Sequence, residues 1–208
     1  MEQIVTSEAL LFDETALNCA LSELPRWQVC AFACSCADRI MRDVRGIERF
    51  SEQFGLIYRG HKAVWRAARA KVDEDNRRLE NQLLTIIPLE GDDDTFEGAL
   101  LDDACAAMIY AIRAIRMNRA QNATWSARRS YETADRYVAR LMNETEYSRA
   151  MEAQITSHWI VQRELIRQKR DLQFLLQSTD DSERQIESLM RVGEDESVLA
   201  LSEGGLMR

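Results

Sequence analysis

The chain has 208 residues, 46 % apolar and 30 % charged, a balance that excludes wholesale disorder. Only 2 Pro and 8 Gly argue against an all-β fold, which needs a turn every ~8–12 residues; no run of ~18 apolar residues or signal-peptide pattern is present. With 27 basic against 35 acidic residues the net charge is −8, which repels nucleic acid and anionic lipid at long range, so a soluble cytoplasmic helical protein is expected.

Thr6 or Ser7 can cap a first helix running to about Leu21, with Leu10, Leu17 and Leu21 at helical spacing. Pro25 suits the first turn of a second helix, where its missing N–H costs nothing. That helix reaches about Val44 and carries two adjacent stripes, Trp27-Ala31-Cys34-Asp38-Met41 and Cys30-Ala33-Ala37-Ile40-Val44. Two apolar stripes predict a central helix. Asp38 interrupts the first and, if buried, requires a partner; the many arginines are the expected source.

Gly46 and Gly55 bracket two helical turns carrying Ile47, Phe50 and Phe54. A helix is expected from about Leu56 with the stripe Ile57, His61, Val64, Ala68. Asp73 to Ile87 either continues it or starts anew near Asp73 or Asp75, with Leu79, Leu83 and Ile86 inward, and Pro88 and Gly91 end it. Asp94-Thr95-Phe96-Glu97 has the form of a capping box. The helix it opens shows Leu101, Cys105, Met108, Ile112 and Ile115 and ends near Asn118; the next shows Ala127, Tyr131, Ala134, Val138 and Leu141. Asn143 with Glu146 predicts a cap for a last long helix carrying Ile155, Trp159, Leu165, Leu172 and Leu176. Beyond Ser178 the pattern weakens to a short helix over Gln185–Val192 and a loose, acidic tail from Gly193. The expectation is an all-α, elongated bundle of six to eight helices, the last three long ones antiparallel. Residues 1–177 would form one domain, with 178–208 a partly mobile appendage.

The run Leu24-Pro25-Arg26-Trp27-Gln28, Phe32 and Ala33-Cys34-Ser35-Cys36-Ala37-Asp38-Arg39 resembles the opening of the YjaG-like family of bacterial helical proteins. Ile57-Tyr58-Arg59, Trp65 and Asp103-Ala104-Cys105-Ala106-Ala107 extend the likeness over roughly residues 20–177. Arg66 departs from it, standing where the family is expected to carry an acid. The resemblance implies an all-α fold and supplies no reaction and no catalytic residues.

The five cysteines are an odd number, and four of them, all but Cys105, lie in the first 36 residues. Cys30, Cys34 and Cys36 sit in an apolar helical run without a knuckle of the zinc type, so they read as small buried hydrophobes and not as ligands or disulfides. His61 and His158 lack a Glu three residues before them, which excludes the Glu-x-x-His pairs of a di-metal bundle. No phosphate loop, dinucleotide turn or nucleophile elbow is present. No catalytic residue, metal or cofactor is therefore assigned.

Two charge features remain. Glu90, Asp92, Asp93, Asp94, Glu97, Asp102 and Asp103 form a stretch without a basic residue. Within it Glu90, Asp92, Asp93, Asp94 and Glu97 are the candidate binding site for a basic protein partner. Arginines 113, 116, 119, 128, 129, 136 and 140 recur on two helices, and Arg59, Lys62, Arg66, Arg69 and Lys71 on an earlier one. These are expected to pair internally, nucleic acid being disfavoured by the net charge. The functional expectation is a non-catalytic protein-binding protein that neutralises a toxin or effector, electrostatic steering speeding capture. A helical adaptor or self-associating scaffold is the alternative, and an enzyme of unrecognised type the third reading. The last would reveal itself as a concave pocket holding titratable groups such as His61 or Asp38.

Overall fold

A computed structural model of the chain describes residues 9–71, 76–87, 95–117, 119–142, 148–177 and 182–199. Among them are nine α-helices and one 3-10 turn: α1 (Glu14–Ser22), α2 (Arg26–Val44), the 3-10 turn Glu48–Phe50, α3 (Ser51–Ala70), α4 (Arg77–Leu84), α5 (Phe96–Met117), α6 (Ala120–Met142), α7 (Arg149–Ser157), α8 (Trp159–Leu176) and α9 (Ser182–Asp195). The described residues contain no strand, as the Pro and Gly counts required.

Helix α2 is the axis of the bundle. Phe32, Ala33, Ile40 and Val44 are wholly buried, and α2 touches α3, α5, α6, α8 and α9. Each such side chain taken from water contributes ~1.5–3 kcal/mol for the larger ones. The double stripe explains the position: a helix apolar on two faces has to be covered on both. Helices α5 and α6 run antiparallel, since Ser126, Thr133 and Tyr137 meet Ala107, Asp103 and Phe96 in turn. Helix α8 runs antiparallel to α2, with Arg39 opposite Glu164 and Ser35 opposite Asp171.

Several boundaries differ from expectation. Helix α1 starts at Glu14, not after Thr6 or Ser7, because Asp13 is its cap, accepting from the Ala16 N–H at 2.9 Å. Leu10 before it is tied to α8: its N–H and carbonyl both bond the Gln162 amide at 2.9 Å. The 3-10 turn runs straight into α3 at Ser51, so Phe54 and Gly55 are helical. Lys71 ends α3 in a left-handed conformation (φ 53°), and α4 is a separate helix. The Thr95 hydroxyl accepts from the Gly98 N–H at the start of α5, and Asp94, the first residue of the expected capping box, lies outside the described residues. The proposed cap Asn143 lies outside the described residues; α7 is capped by Ser148.

The predicted last long helix is broken. His158 takes an extended conformation (φ −64°, ψ 139°) between α7 and α8, and its Nδ1 accepts from the Ile160 N–H. Leu165 stays buried and Leu172 half-buried against the core, as expected. Trp159 and Leu176, expected inside, are 59 % and 44 % exposed, and Leu141 at the end of α6 is 41 % exposed. Residues 193–199 are also not the loose tail expected. Val198 donates to the Arg39 carbonyl, Leu199 donates to Asp43 Oδ2, and both side chains are buried.

Candidate functional site: the cleft over Asp38 and His61

Asp38 lies midway along α2 and is 1 % exposed. The partners of its carboxylate are not arginines, as expected, but groups on α3. His61 Nδ1 lies 2.7 Å from Oδ1, and the Trp65 indole N–H donates to Oδ2 at 2.7 Å. One turn earlier on α2, the Cys34 thiol is 3.7 Å from Oδ1. Spacing makes this possible: residues 34 and 38 share a face of α2, and 61 and 65 share a face of α3. Pairing Nδ1 with a carboxylate favours the Nδ1–H tautomer and leaves Nε2 on the opposite edge of the ring. Burial first, and then the Asp38 charge, push the Cys34 thiol well up, so it stays protonated.

The imidazole is held from the side by an aromatic ladder. Tyr58 stacks on it at 5.4 Å and 12°, and Phe54 stacks on Tyr58 at 6.1 Å and 12°. The Lys62 ammonium sits 4.4 Å from the Tyr58 ring centre. Over this floor opens a cleft of about 500 Å³. Its walls are Met41 and Arg42 of α2 with Arg45 at its C-cap, the α3 ladder, and Gly193 and Asp195 of α9. A second hollow of about 400 Å³ lies on the far side of Tyr58 and His61, lined by Lys62, Arg66 and Arg69 among others. A Cβ on Gly193 would come to 3.5 Å from Asp38 Oδ2, which measures how closely α9 lies on the carboxylate.

On the other side of α2 a buried ion cluster fixes the floor. The wholly buried Arg39 guanidinium donates to Glu164 at 3.0 and 3.1 Å and to Asp171 at 2.8 Å. Ser130 and Gln168 also donate to Glu164, and Ser35 to Asp171. Burial alone would favour a neutral Arg39, but the carboxylates of Glu164 and Asp171 more than offset it and hold the group charged. Burial likewise raises Cys36, against the opposing effect of Arg39. Sequence reading missed this cluster, although Glu164, Gln168 and Asp171 repeat at +4 and +3 and so form a polar stripe on one face of α8.

The acidic docking residues fare differently. Glu90, Asp92, Asp93 and Asp94 lie outside the described residues. Glu97 is engaged by Arg49, Nε to Oε2 at 2.9 Å. Of the other two acids in that stretch, Asp103 is buried against Thr133, Arg129 and Arg136. Burial, the largest influence, raises its carboxyl despite those three.

Most of the expected internal pairing of arginines is present. Arg113 and Arg116 clasp Glu80 at 2.7 and 2.8 Å, Arg128 bridges Glu14 and Glu132, and Arg69 meets Glu187. Arg59, Arg119 and Arg140 show no ion pair with a described residue, and neither do Arg42 and Arg45, which face the cleft.

Fold and site together define an all-α protein with one central buried helix and a polar cleft between α2, α3 and α9. The chain belongs to the DUF416 family, described as a protein of unknown function, whose profile matches residues 16–199. It is similar to the crystal structure of a DUF416 family protein from Shewanella baltica OS155, with a TM-score of 0.72 and 15 % identity, covering 89 % of this chain and 94 % of that one. At that identity the likeness shows the fold alone. No curated protein matches. Among the described residues no helix is long and apolar enough to cross a membrane.

Proposed function

We propose that the protein binds a small anionic ligand in the cleft between α2, α3 and α9. The observation that carries this reading is the pair Arg42 and Arg45. They lie one turn apart, without an ion pair among the described residues, on the wall of a cleft of about 500 Å³. Arginine forks bind phosphate and carboxylate bidentately. The floor supplies polar groups held by their neighbours and the Phe54–Tyr58 ladder supplies a flat apolar wall, the usual composition of a small-molecule site. Asp195 on the opposite rim limits how much negative charge the ligand carries. The narrower resemblance to YjaG-like proteins adds no reaction to this reading.

Calorimetry with phenyl phosphate and inorganic phosphate tests it. Saturable binding of phenyl phosphate is expected, tighter than inorganic phosphate, weakened by salt and reduced at least ~10-fold by Arg42→Met with Arg45→Met. Binding that survives the double substitution, or no binding of either probe, refutes the reading.

Capture of a basic protein partner is a second proposal, in which the chain neutralises a toxin or effector through Glu90, Asp92, Asp93, Asp94 and Glu97. The net charge of −8 supports it. Its test is affinity capture from the native lysate at low and high salt, comparing the wild type with a variant carrying Asp92→Lys, Asp93→Lys and Asp94→Lys. A stoichiometric partner lost on both treatments supports it; a partner indifferent to both rules it out.

A further inference from the structure

We propose that Cys34, Asp38 and His61 form a binding site for one divalent transition-metal ion, of the zinc or cobalt class, with its fourth position open to the cleft. The three donors come from two helices and their ligand atoms all lie within 4.8 Å of one another. A tetrahedral ion with bonds of ~2.0–2.3 Å holds its ligand atoms ~3.3–3.5 Å apart. Cys34 Sγ and Asp38 Oδ1 are already 3.7 Å apart. The His61–Asp38 pair, at 2.7 Å, needs to open by only about half an ångström, a side-chain adjustment. One thiol, one imidazole and one carboxylate are the mixed donor set that suits these ions, and three protein ligands with an open fourth position are the pattern of accessible zinc sites.

The surroundings fit as well. Cys34 and Asp38 are almost wholly buried, yet Asp38 and His61 line the cleft, which gives the ion a path in. The Trp65 indole N–H holds the other oxygen of Asp38, the kind of outer hydrogen bond that orients a ligating carboxylate. The buried cation Arg39 is turned away to Glu164 and Asp171, while Arg42 and Arg45 stand on the wall of the cleft. An ion there would take the thiol as thiolate, releasing its proton to solvent, and would take His61 through Nδ1, the ring proton moving to Nε2 by exchange with solvent. This site does not depend on the anion reading above, although an anion in the cleft could occupy the fourth position.

The test is a titration of the reduced, chelator-treated full-length protein with cobalt(II) chloride, followed by absorption. One equivalent is expected to produce a thiolate-to-cobalt charge-transfer band with the visible bands of a tetrahedral ion, and zinc chloride to abolish them. Cys34→Ser is expected to remove the charge-transfer band, His61→Asn to weaken binding, and Trp65→Phe to weaken it about 10–100-fold. Cys105→Ser, at a buried thiol on α5, is expected to leave the spectrum unchanged. Circular dichroism of each variant, without metal, separates loss of the site from loss of fold. The absence of a charge-transfer band in the wild type overturns the proposal. So does a band that survives in folded Cys34→Ser and is lost in Cys19→Ser. Because cobalt binding is read without any anion present, its failure leaves the phenyl phosphate experiment unaffected.

Discussion

Replacing Arg39 by Met gives a direct measure of what holds the bundle around α2. The substitution keeps an unbranched side chain of similar length, so the cavity is small and the effect is electrostatic. Glu164 is wholly buried and accepts from Arg39 Nε and from both Ser130 and Gln168. Without Arg39 it keeps only neutral donors. Asp171 keeps Arg170, 2.6 Å away, and Ser35, so the cost falls mainly on Glu164. Removing one partner of a buried pair typically costs ~3–5 kcal/mol, because the remaining charge is left uncompensated. For a chain of this size that corresponds to a fall of ~6–20 °C in Tm. The assay is urea unfolding followed by circular dichroism, with an unchanged denaturant slope confirming that stability alone has moved. The double variant with Glu164→Gln removes the stranded charge and is expected to recover at least ~2 kcal/mol of the loss. The reasoning fails if Arg39→Met lies within ~1 kcal/mol of the wild type, or if the double variant is no more stable than the single one.

Four further outcomes are expected. Under native conditions a thiol reagent modifies Cys19 rapidly and the other four cysteines only after unfolding, since Cys19 alone is exposed; burial pushes Cys105 up to about 12, which lowers its thiolate fraction about a thousandfold below that of an ordinary thiol near pH 8, and fast loss of more than one thiol contradicts this. Two glycines of α3 respond in opposite ways to alanine: Gly55 has open space and gains ~0.5–1 kcal/mol, whereas a Cβ at Gly60 meets Met108 Cγ at 2.7 Å and the overpacking costs ~1–3 kcal/mol. Equal shifts in the two melting curves refute the packing described. Asp103 supplies a pH dependence. Its folded carboxyl is raised above the usual 3.8, mainly by burial, so its contribution to stability is complete below that value and is lost as pH rises through the folded pKa. The stability difference between wild type and Asp103→Asn is therefore expected to shift in favour of the wild type as pH falls through that window, and a difference flat with pH contradicts it. Finally, Arg49→Ala at the half-exposed Glu97 pair changes stability by no more than ~1 kcal/mol, measured by the same unfolding assay.

The sequence by itself determined the fold class and the placing of the main helices. Apolar residues at +3 and +4 spacing locate α2 and α5 to within a few residues and mark the presence of α6, because that periodicity is a local property of a chain with one side in a core. It also marked α2 as central and Asp38 as a residue in need of a partner. Caps were read less well. Asp13 and Ser148 perform the capping of α1 and α7, and each competes with similar residues nearby whose suitability only the final path of the chain decides. The break at His158 was invisible because a single extended residue leaves composition unchanged, although it leaves Trp159 on the surface. The candidate site was legible only in fragments. His61 and Asp38 stood on apolar stripes 23 positions apart, and nothing local says that α3 turns its 61 and 65 face to the 34 and 38 face of α2. Arg39 lies more than a hundred residues from Glu164 and from Asp171, and they meet because α8 packs antiparallel on α2. Periodicity is written in neighbours along the chain and survives without the fold. The pairing of buried charges depends on which helices lie side by side, and tertiary packing alone decides that.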